Sequence, residues 1–158
     1  MHRLLLSIAL GAAFSSPAFA QTAAQPDLSG TWKLNLAKSK LDKHNTVASE
    51  TITITSKDAT IEFHYTTDGK EHVHAYIADG KERRLAEVQG GYVVQKASWK
   101  KSALVIEQSG RADPSLGFGG TELWLTGERW ALSGDGHTLT LDSKGFDSQR
   151  RTFVYDKQ

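Results

Sequence analysis

Hydrophobic and polar residues alternate along most of the chain after residue 28, in short segments separated by turn-forming residues. In the first segment Trp32, Leu34 and Leu36 fall on one side of an extended backbone, and Ile52 and Ile54 alternate with threonines in the next. A period of two with many β-branched residues is typical of half-buried β-strands. The pattern predicts strands over residues 31–36, 50–55, 61–65, 73–77, 85–88, 92–99, 104–108, 122–126, 129–133, 137–142 and 150–155.

Tight turns are expected between many of these strands. Asp68-Gly69 and Asp79-Gly80 stand between two alternating segments each, and both dipeptides supply the positive-φ residues that two-residue hairpin turns require. The tetrapeptide Asp-Gly-Lys-Glu occurs at residues 68–71 and 79–82, which indicates one hairpin device used twice. Residues 109–120 form the longest segment without a strand pattern, and residues 37–45 have room for about one helical turn.

These elements predict an all-β protein. No helical pattern is long enough for the crossovers that parallel strands need, so the sheet should be an antiparallel up-and-down meander of about 8–10 strands. Closure of that meander into a barrel would remove its exposed edges. A two-sheet sandwich is the alternative, but it needs longer connections than most of those available here.

The first twenty residues have the features of a secretory signal peptide. A short basic start precedes an apolar run from Leu4 to Phe14, and Ala18-Phe19-Ala20 provides small residues at the cleavage site. We expect cleavage after Ala20, a polar leader over residues 21–27, a barrel domain over residues 28–158, and a periplasmic or secreted location. The later apolar runs are too short for a membrane-spanning helix.

Composition narrows the choice of partners. The chain has 19 basic and 18 acidic residues, scattered among one another, so it lacks the basic face of a nucleic-acid-binding protein. It has no cysteine, and stability must come from packing and backbone pairing instead of disulfides. No sequence motif indicates a cofactor, and none indicates a particular protein partner.

The two ends of the mature chain resemble those of the calycin superfamily, which includes the lipocalins and the fatty-acid-binding proteins. Gly30-x-Trp32 is similar to the Gly-x-Trp motif of their first strand, and residues 151–157 are similar to their last strand, which carries a basic residue over the tryptophan. The closest resemblance is to lipocalin-like proteins secreted by bacteria. It implies a lipocalin-like barrel in which Gly30, Trp32, Arg150 and Arg151 form a structural plug, with one arginine against the indole.

The chain departs from fatty-acid-binding proteins at two places. Those proteins insert a pair of helices between the first two strands, where this chain has only residues 37–49. They also use an Arg-x-Tyr pair on the last strand to hold a carboxylate, whereas Phe153 stands two residues before Tyr155 here and Arg151 lies one alternate position further back.

Two-residue turns at residues 68–69 and 79–80 would fix the register of three neighbouring strands. Tyr65 would then lie opposite His72, and Tyr76 opposite Arg83, with His72 also beside Glu87. One face collects the candidate ligand-binding residues Phe63, Tyr65, His72, His74, Tyr76, Arg83 and Glu87. The other face collects Val73, Ala75, Ile77, Ala86 and Val88. Either the aromatic and polar set lines a cavity, with Arg83 and Tyr76 as an anion grip, or the aliphatic set does and the histidines are solvated.

The sequence carries no motif for catalysis. His72 and His74 share a face with Glu87, but no fourth ligand completes a metal site, and no nucleophile elbow or linked general base is present. Most of the four tryptophans, Trp32, Trp99, Trp124 and Trp130, are expected to fill the core, and their alternative role is to form the wall of a cavity for an apolar ligand. We therefore expect a non-catalytic periplasmic protein that binds a small apolar or amphipathic ligand. The alternative is a ligand-free structural or interaction module of the bacterial envelope.

Overall fold

The computed structural model describes residues 25–42, 46–117 and 122–158. The expected signal peptide, and residues 21–24 of the expected leader, lie outside these ranges. Ten strands make up the described chain: β1 Gly30–Leu34, β2 Glu50–Lys57, β3 Thr60–Thr67, β4 Lys70–Ile77, β5 Glu82–Val88, β6 Gly91–Lys100, β7 Ala103–Ala112, β8 Glu122–Leu132, β9 Thr138–Lys144 and β10 Arg150–Lys157. A short 3-10 helix, Pro114–Leu116, follows β7. No helix in the described ranges is both long and apolar enough to cross a membrane.

The strands form one antiparallel sheet in the order β4-β3-β2-β1-β10-β9-β8-β7-β6-β5. Apart from β4 and β5, strands that are consecutive in sequence pair with each other, and β1 pairs with β10, so the two ends of the chain meet in the middle of the sheet. This confirms the all-β, up-and-down, barrel-like fold. The sheet is not closed by hydrogen bonds, because β4 and β5 are its two edges.

The two Asp-Gly turns behave differently, and only the first is the expected hairpin turn. Asp68 and Gly69 have φ of 48° and 79°, and Thr67 pairs with Lys70 across them. After β4, by contrast, the Gly80 N–H donates to the Ala97 carbonyl on β6 at 2.9 Å. The segment around Asp79 therefore crosses from one sheet edge to the other, and the predicted β4-β5 hairpin is wrong.

Two strand boundaries also differ from the prediction. Residues 122–126 and 129–133 were expected as separate strands, but β8 runs without a break through Gly127, which lies opposite Glu107. Residues 109–112, expected in the long loop, extend β7, because they continue to pair with both β6 and β8. After β1 the chain makes one hydrogen-bonded turn, in which the Ser39 N–H donates to the Asn35 carbonyl at 3.1 Å.

One face of the sheet, which we call the inner face, carries the core. Trp32, Phe63 and Trp130 are fully buried there, together with Ile52 and Leu139. On β4 the opposite face is open, with Val73 56% exposed and Ile77 42% exposed. Phe63, Tyr65 and Tyr76 therefore face inwards, and the expectation of an aliphatic lining is wrong. The expectation that came with it, of solvated histidines, is confirmed, because His72 and His74 are exposed.

Trp32 fills the end of the inner face at which β1 and β10 pair. Its indole N–H donates to the Leu28 carbonyl at 2.9 Å, and the Nζ of Lys157 lies 5.2 Å from the ring centre. Gly30 has a φ of 135°, and a Cβ there would lie 3.3 Å from the Lys157 Cε, so glycine leaves room for the lysine stem.

The basic residue over the indole is thus Lys157, and the expectation of Arg150 or Arg151 is wrong. Trp32 pairs directly with Lys157 in the β1-β10 register. Because a strand advances about 3.4 Å per residue, Arg151 lies on the order of 20 Å further along β10. A basic last strand alone does not show which of its cations reaches the tryptophan.

Candidate functional site

The inner face encloses a cavity of about 390 Å³ beyond the packed core. Seven strands and the segment before β2 contribute to its wall, since alternate residues of each strand point to the same face. The lining residues are Val47, Glu50, Tyr65, His72, His74, Tyr76, Gln108, Glu128, Leu141, Ser143, Phe153 and Tyr155. His72 and His74 are exposed, so this side of the cavity faces solvent.

Aromatic rings form a continuous wall along β3 and β4. Tyr65 stacks on His72 with ring centres 4.6 Å apart and an angle of 3°, and His74 stacks on Tyr76 at 6.3 Å. Both tyrosines contact the buried Phe63, at 6.0 and 5.6 Å. Antiparallel pairing of Tyr65 with His72 and of Phe63 with His74 places these rings side by side.

Glu50 joins two sides of the cavity. Its Oε1 accepts a hydrogen bond from the Tyr155 hydroxyl at 2.6 Å, and its Oε2 accepts one from the Thr67 hydroxyl at 2.6 Å. Burial, followed by the charge of Glu50, raises the pKa of Tyr155. Tyr155 therefore stays protonated and donates to Glu50.

Glu128 is the second carboxyl group of the cavity, and it is half-buried on β8. Its Oε2 accepts a hydrogen bond from the Trp130 indole N–H at 3.1 Å. Burial raises the pKa of Glu128, an effect that this hydrogen bond opposes. The charge of Glu128 in turn adds to the burial that raises the pKa of Tyr65 and of Tyr76, so both phenols are hydrogen-bond donors at neutral pH.

His74 is held in its neutral form. Partial burial is the first cause of its lowered pKa, and the neighbouring His72 is the second. Their ring centres lie 5.5 Å apart, so a charge on one would repel a charge on the other. His74 thus presents an uncharged imidazole at the β4 edge of the cavity at neutral pH.

Five of the seven residues proposed from sequence lie together: Phe63 behind the wall, and Tyr65, His72, His74 and Tyr76 in it. The other two are elsewhere, because β5 pairs with β6 at the opposite sheet edge. The Arg83 guanidinium makes two hydrogen bonds to the Asp79 carboxylate, at 2.8 and 2.9 Å.

Glu87 pairs with Arg84 at 2.9 Å, on the far edge of the sheet from β4. The predicted pairing of Tyr76 with Arg83 and the predicted contact of His72 with Glu87 are therefore wrong. Arg83 therefore cannot form an anion site with Tyr76, and Glu87 cannot be a third metal ligand beside His72 and His74. Among the described residues, no group of three His, Cys, Asp or Glu side chains is arranged to hold a metal ion.

Sequence reasoning missed Glu50 on β2, and it missed Glu128 and Tyr155, which lie on β8 and β10, far in sequence from β3 and β4. A signal was present for each carboxylate. Glu128 stands two residues before Trp130, and Glu50 two before Ile52, so both occupy the buried phase of their strands. An acidic residue that alternates with core residues on a strand points towards the interior, where acids are rarely buried without a partner. Such a position in a sequence therefore indicates a candidate site residue.

A second cavity, of about 400 Å³, lies against β7, β8, β9 and β10. Charged side chains of both signs make up much of its lining, among them Glu107, Lys144, Arg150 and Arg151. Arg151 pairs with Asp42 and Asp147. The plug residues predicted on β10 therefore lie here and not beside Trp32.

Comparison with solved structures shows the same barrel-like fold in known proteins. A protein named REP1-NXSQ fatty acid transporter superposes with a TM-score of 0.55 at 13% identity, covering 83% of this chain and 96% of its own. A tyrosine-to-phenylalanine mutant of it gives 0.56 at 12% identity, covering 83% and 98%. No protein-family model and no curated protein matches the chain. At this identity the likeness shows a shared fold.

Proposed function

We propose that the protein binds a small apolar or amphipathic molecule in the inner-face cavity and does not transform it. The observation that carries this proposal is the aromatic-walled cavity of about 390 Å³. Small-molecule sites are typically about 300–1,000 Å³, largely apolar, and furnished with a few polar groups. The Tyr65 and Tyr76 rings, with Leu141 and Phe153, supply the apolar surface.

The fold neighbours support an apolar ligand, since both are named as fatty acid transporters. The resemblance of Gly30-x-Trp32 to the first strand of the calycin superfamily supports the same class of protein. We infer a lipocalin-like carrier that acts in the periplasm or outside the cell. The support for that location is the signal-peptide pattern of residues 1–20, with cleavage after Ala20.

The open edge at β4 offers a route of entry. β4 has a hydrogen-bonded neighbour on one side only, and its inner-face residues His72 and His74 are exposed. An edge strand separates from its sheet more easily than a central strand, because fewer hydrogen bonds hold it. A ligand tail would enter past these imidazoles and lie against the rings of Tyr65 and Tyr76.

A paired substitution tests whether ligands occupy the cavity. Ser143→Phe on β9 places a ring in the lining, whereas Thr140→Phe places one on the opposite face of the same strand. Titration with the neutral fluorophore N-phenyl-1-naphthylamine should show an affinity loss of about tenfold or more for Ser143→Phe only, because a ring fills the space that the probe needs. Equal affinities in both variants would contradict the proposal, provided that their unfolding midpoints agree.

The second candidate function is an envelope interaction module without a ligand. The outer edges of β4 and β5 favour it, because neither edge has a strand partner in the described part of the chain and Val73 and Leu85 are among the exposed apolar side chains there. Unpaired edges of this kind can accept a strand from another protein. Native mass spectrometry of protein purified from its own source distinguishes the two: a retained small molecule supports the carrier, and a bound polypeptide supports the module.

A further inference from the structure

The charged groups in the lining of the inner-face cavity are acidic. Glu50 reaches it from β2 and Glu128 from β8, and none of the lining residues in the described ranges is a lysine or an arginine. Proteins that hold a carboxylate in a cavity need a cation or several converging donors to offset its charge. A fatty-acid anion in this cavity would instead meet two groups of its own charge.

Neither arginine that the sequence offers for an anion site is available to the cavity. Arg83 makes its two-point contact with Asp79 at the corner after β4. Arg151 is bound by carboxylates on two sides, from Asp42 and Asp147. On β10, Phe153 occupies the lining position that lies two residues before Tyr155.

The two carboxylates differ in what they can still accept. Both oxygens of Glu50 receive short hydrogen bonds, from Tyr155 and Thr67. Glu128 receives one, from Trp130 to Oε2, and no described residue donates to its Oε1. A carboxylate oxygen at a cavity wall without a donor is an acceptor site for a ligand N–H or O–H.

Aromatic rings stand close to that acceptor. Tyr65 and Tyr76 line the same cavity as Glu128. Within the described chain, neither phenol hydroxyl hydrogen-bonds to a protein group. A phenol oxygen can accept a hydrogen bond, and an ammonium group offers three donors. The His74 ring does not offset the acids, since burial lowers its pKa and keeps it neutral.

We propose that the cavity selects a protonated primary amine with an apolar tail over a fatty-acid anion. The ammonium group donates to the Glu128 carboxylate and to the phenol oxygens of Tyr65 and Tyr76, while the tail lies on Leu141 and Phe153. This inference rests on the proposed function, because it needs the cavity to be the binding site. It adds the chemical class of the ligand, which the transporter fold does not fix.

Three amphiphiles with the same tail test the head group: dodecylamine, dodecanol and dodecanoate. Each displaces N-phenyl-1-naphthylamine from the purified protein at pH 7, below its micelle concentration. We expect dodecylamine to bind about tenfold or more tighter than dodecanoate, with dodecanol between them, because a charge-assisted hydrogen bond replaces like-charge repulsion. Equal or tighter binding of dodecanoate would overturn the inference and leave the carrier function standing. Failure of all three to bind would overturn both.

A matched pair of variants then assigns the preference to Glu128. Glu128→Gln keeps the shape and removes the charge, and we expect it to weaken dodecylamine about tenfold while dodecanol changes less than about threefold. Glu62→Gln makes the same change on the exposed face of β3, beside His64, and should leave all three affinities unchanged. An equal loss in both variants, or an equal loss for amine and alcohol in Glu128→Gln, would show that no specific ammonium contact exists.

Discussion

The two ends of the inner face contain similar aromatic residues, but one end is packed and the other leaves a cavity. Around Trp32 the interior is packed: the indole is fully buried, its N–H is satisfied by Leu28, and Lys157 covers the ring. Around Tyr65 and Glu128 the same face leaves about 390 Å³ open. Aromatic residues occur at both ends, so their presence does not by itself indicate either a core or a binding site.

The difference lies in the polar groups beside the rings. At the Trp32 end the indole N–H has a backbone partner, and the cation lies over the ring. At the other end, Glu128 and the phenols of Tyr65 and Tyr76 retain hydrogen-bonding capacity. Satisfied polar groups stabilise a fold, whereas groups left open to a cavity are available to a ligand. The first end therefore stabilises the fold, and the second is the end at which we propose that a ligand binds.

Removal of the plug should have the largest effect on stability. Trp32→Ala deletes a fully buried side chain and should lower the free energy of unfolding by about 3–5 kcal/mol, since packing and an indole hydrogen bond are lost. Denaturant titration followed by circular dichroism measures this. Loss of probe binding with unchanged stability would show that the plug belongs to the binding site.

Backbone strain at the same end gives the next largest effect. Gly30→Ala places a Cβ at a φ of 135° and 3.3 Å from the Lys157 stem, and should cost about 1–3 kcal/mol of stability. Gly134→Ala is the control, because a Cβ there meets no atom within 4 Å. Equal stabilities of the two variants would mean that the approach of Gly30 to Lys157 is not needed for the fold.

A substitution at Glu128, at the cavity end of the inner face, should increase the stability of the protein. Burial raises the pKa of Glu128, so the folded state holds this proton more tightly than the unfolded chain does. Its contribution is thus neutral at low pH and becomes destabilising as pH rises from the unfolded pKa through the folded one. Glu128→Gln should raise stability at pH 7 by about 1 kcal/mol and flatten this part of the pH profile.

Unfolding titrations of the wild-type protein and of Glu128→Gln between pH 4 and pH 8 measure that difference. A wild-type stability that rises more steeply with pH than that of the variant would contradict the assignment, since it would indicate that the folded protein stabilises the Glu128 charge.

The cation over the plug should have the smallest effect. Lys157→Met keeps most of the stem over Trp32 and removes the charge, with an expected loss of about 0.5–1 kcal/mol. Arg150→Met makes the same kind of change at the other end of β10, where the side chain is exposed, and should be close to neutral. A larger loss for Arg150→Met would restore the arginine as the residue that covers the indole.

The sequence predicted what short-range patterns determine. Alternation of apolar and polar residues predicted the strands, and Asp68-Gly69 predicted the hairpin that places Tyr65 opposite His72. The Gly30-x-Trp32 motif predicted the buried tryptophan of the plug. The hairpin predicted from the second Asp-Gly dipeptide, Asp79-Gly80, is wrong. A turn sequence does not determine whether the strands before and after it pair with each other. There the Gly80 N–H bonds to Ala97, a partner in a strand later in the chain.

The site was predicted in part for the same reason. Tyr65, His74 and Tyr76 come together through one local hairpin. Glu128 and Tyr155 share the cavity with Tyr65 only because β1 pairs with β10 and joins the two halves of the sheet, which a strand pattern does not specify. The phase of Glu128 with Trp130 marks it as inward-facing, but the register of the whole sheet decides what it faces.

The most direct test of the division between the two ends is a map of backbone amide chemical shifts on addition of dodecylamine. We predict shifts at Tyr65, Glu128 and Tyr155 that saturate together, with Trp32 and Ile54 unaffected, because the ligand lies in the cavity and not in the packed core. Shifts confined to the exposed edges, at Val73 and Leu85, with Tyr65 and Glu128 unchanged, would contradict the account.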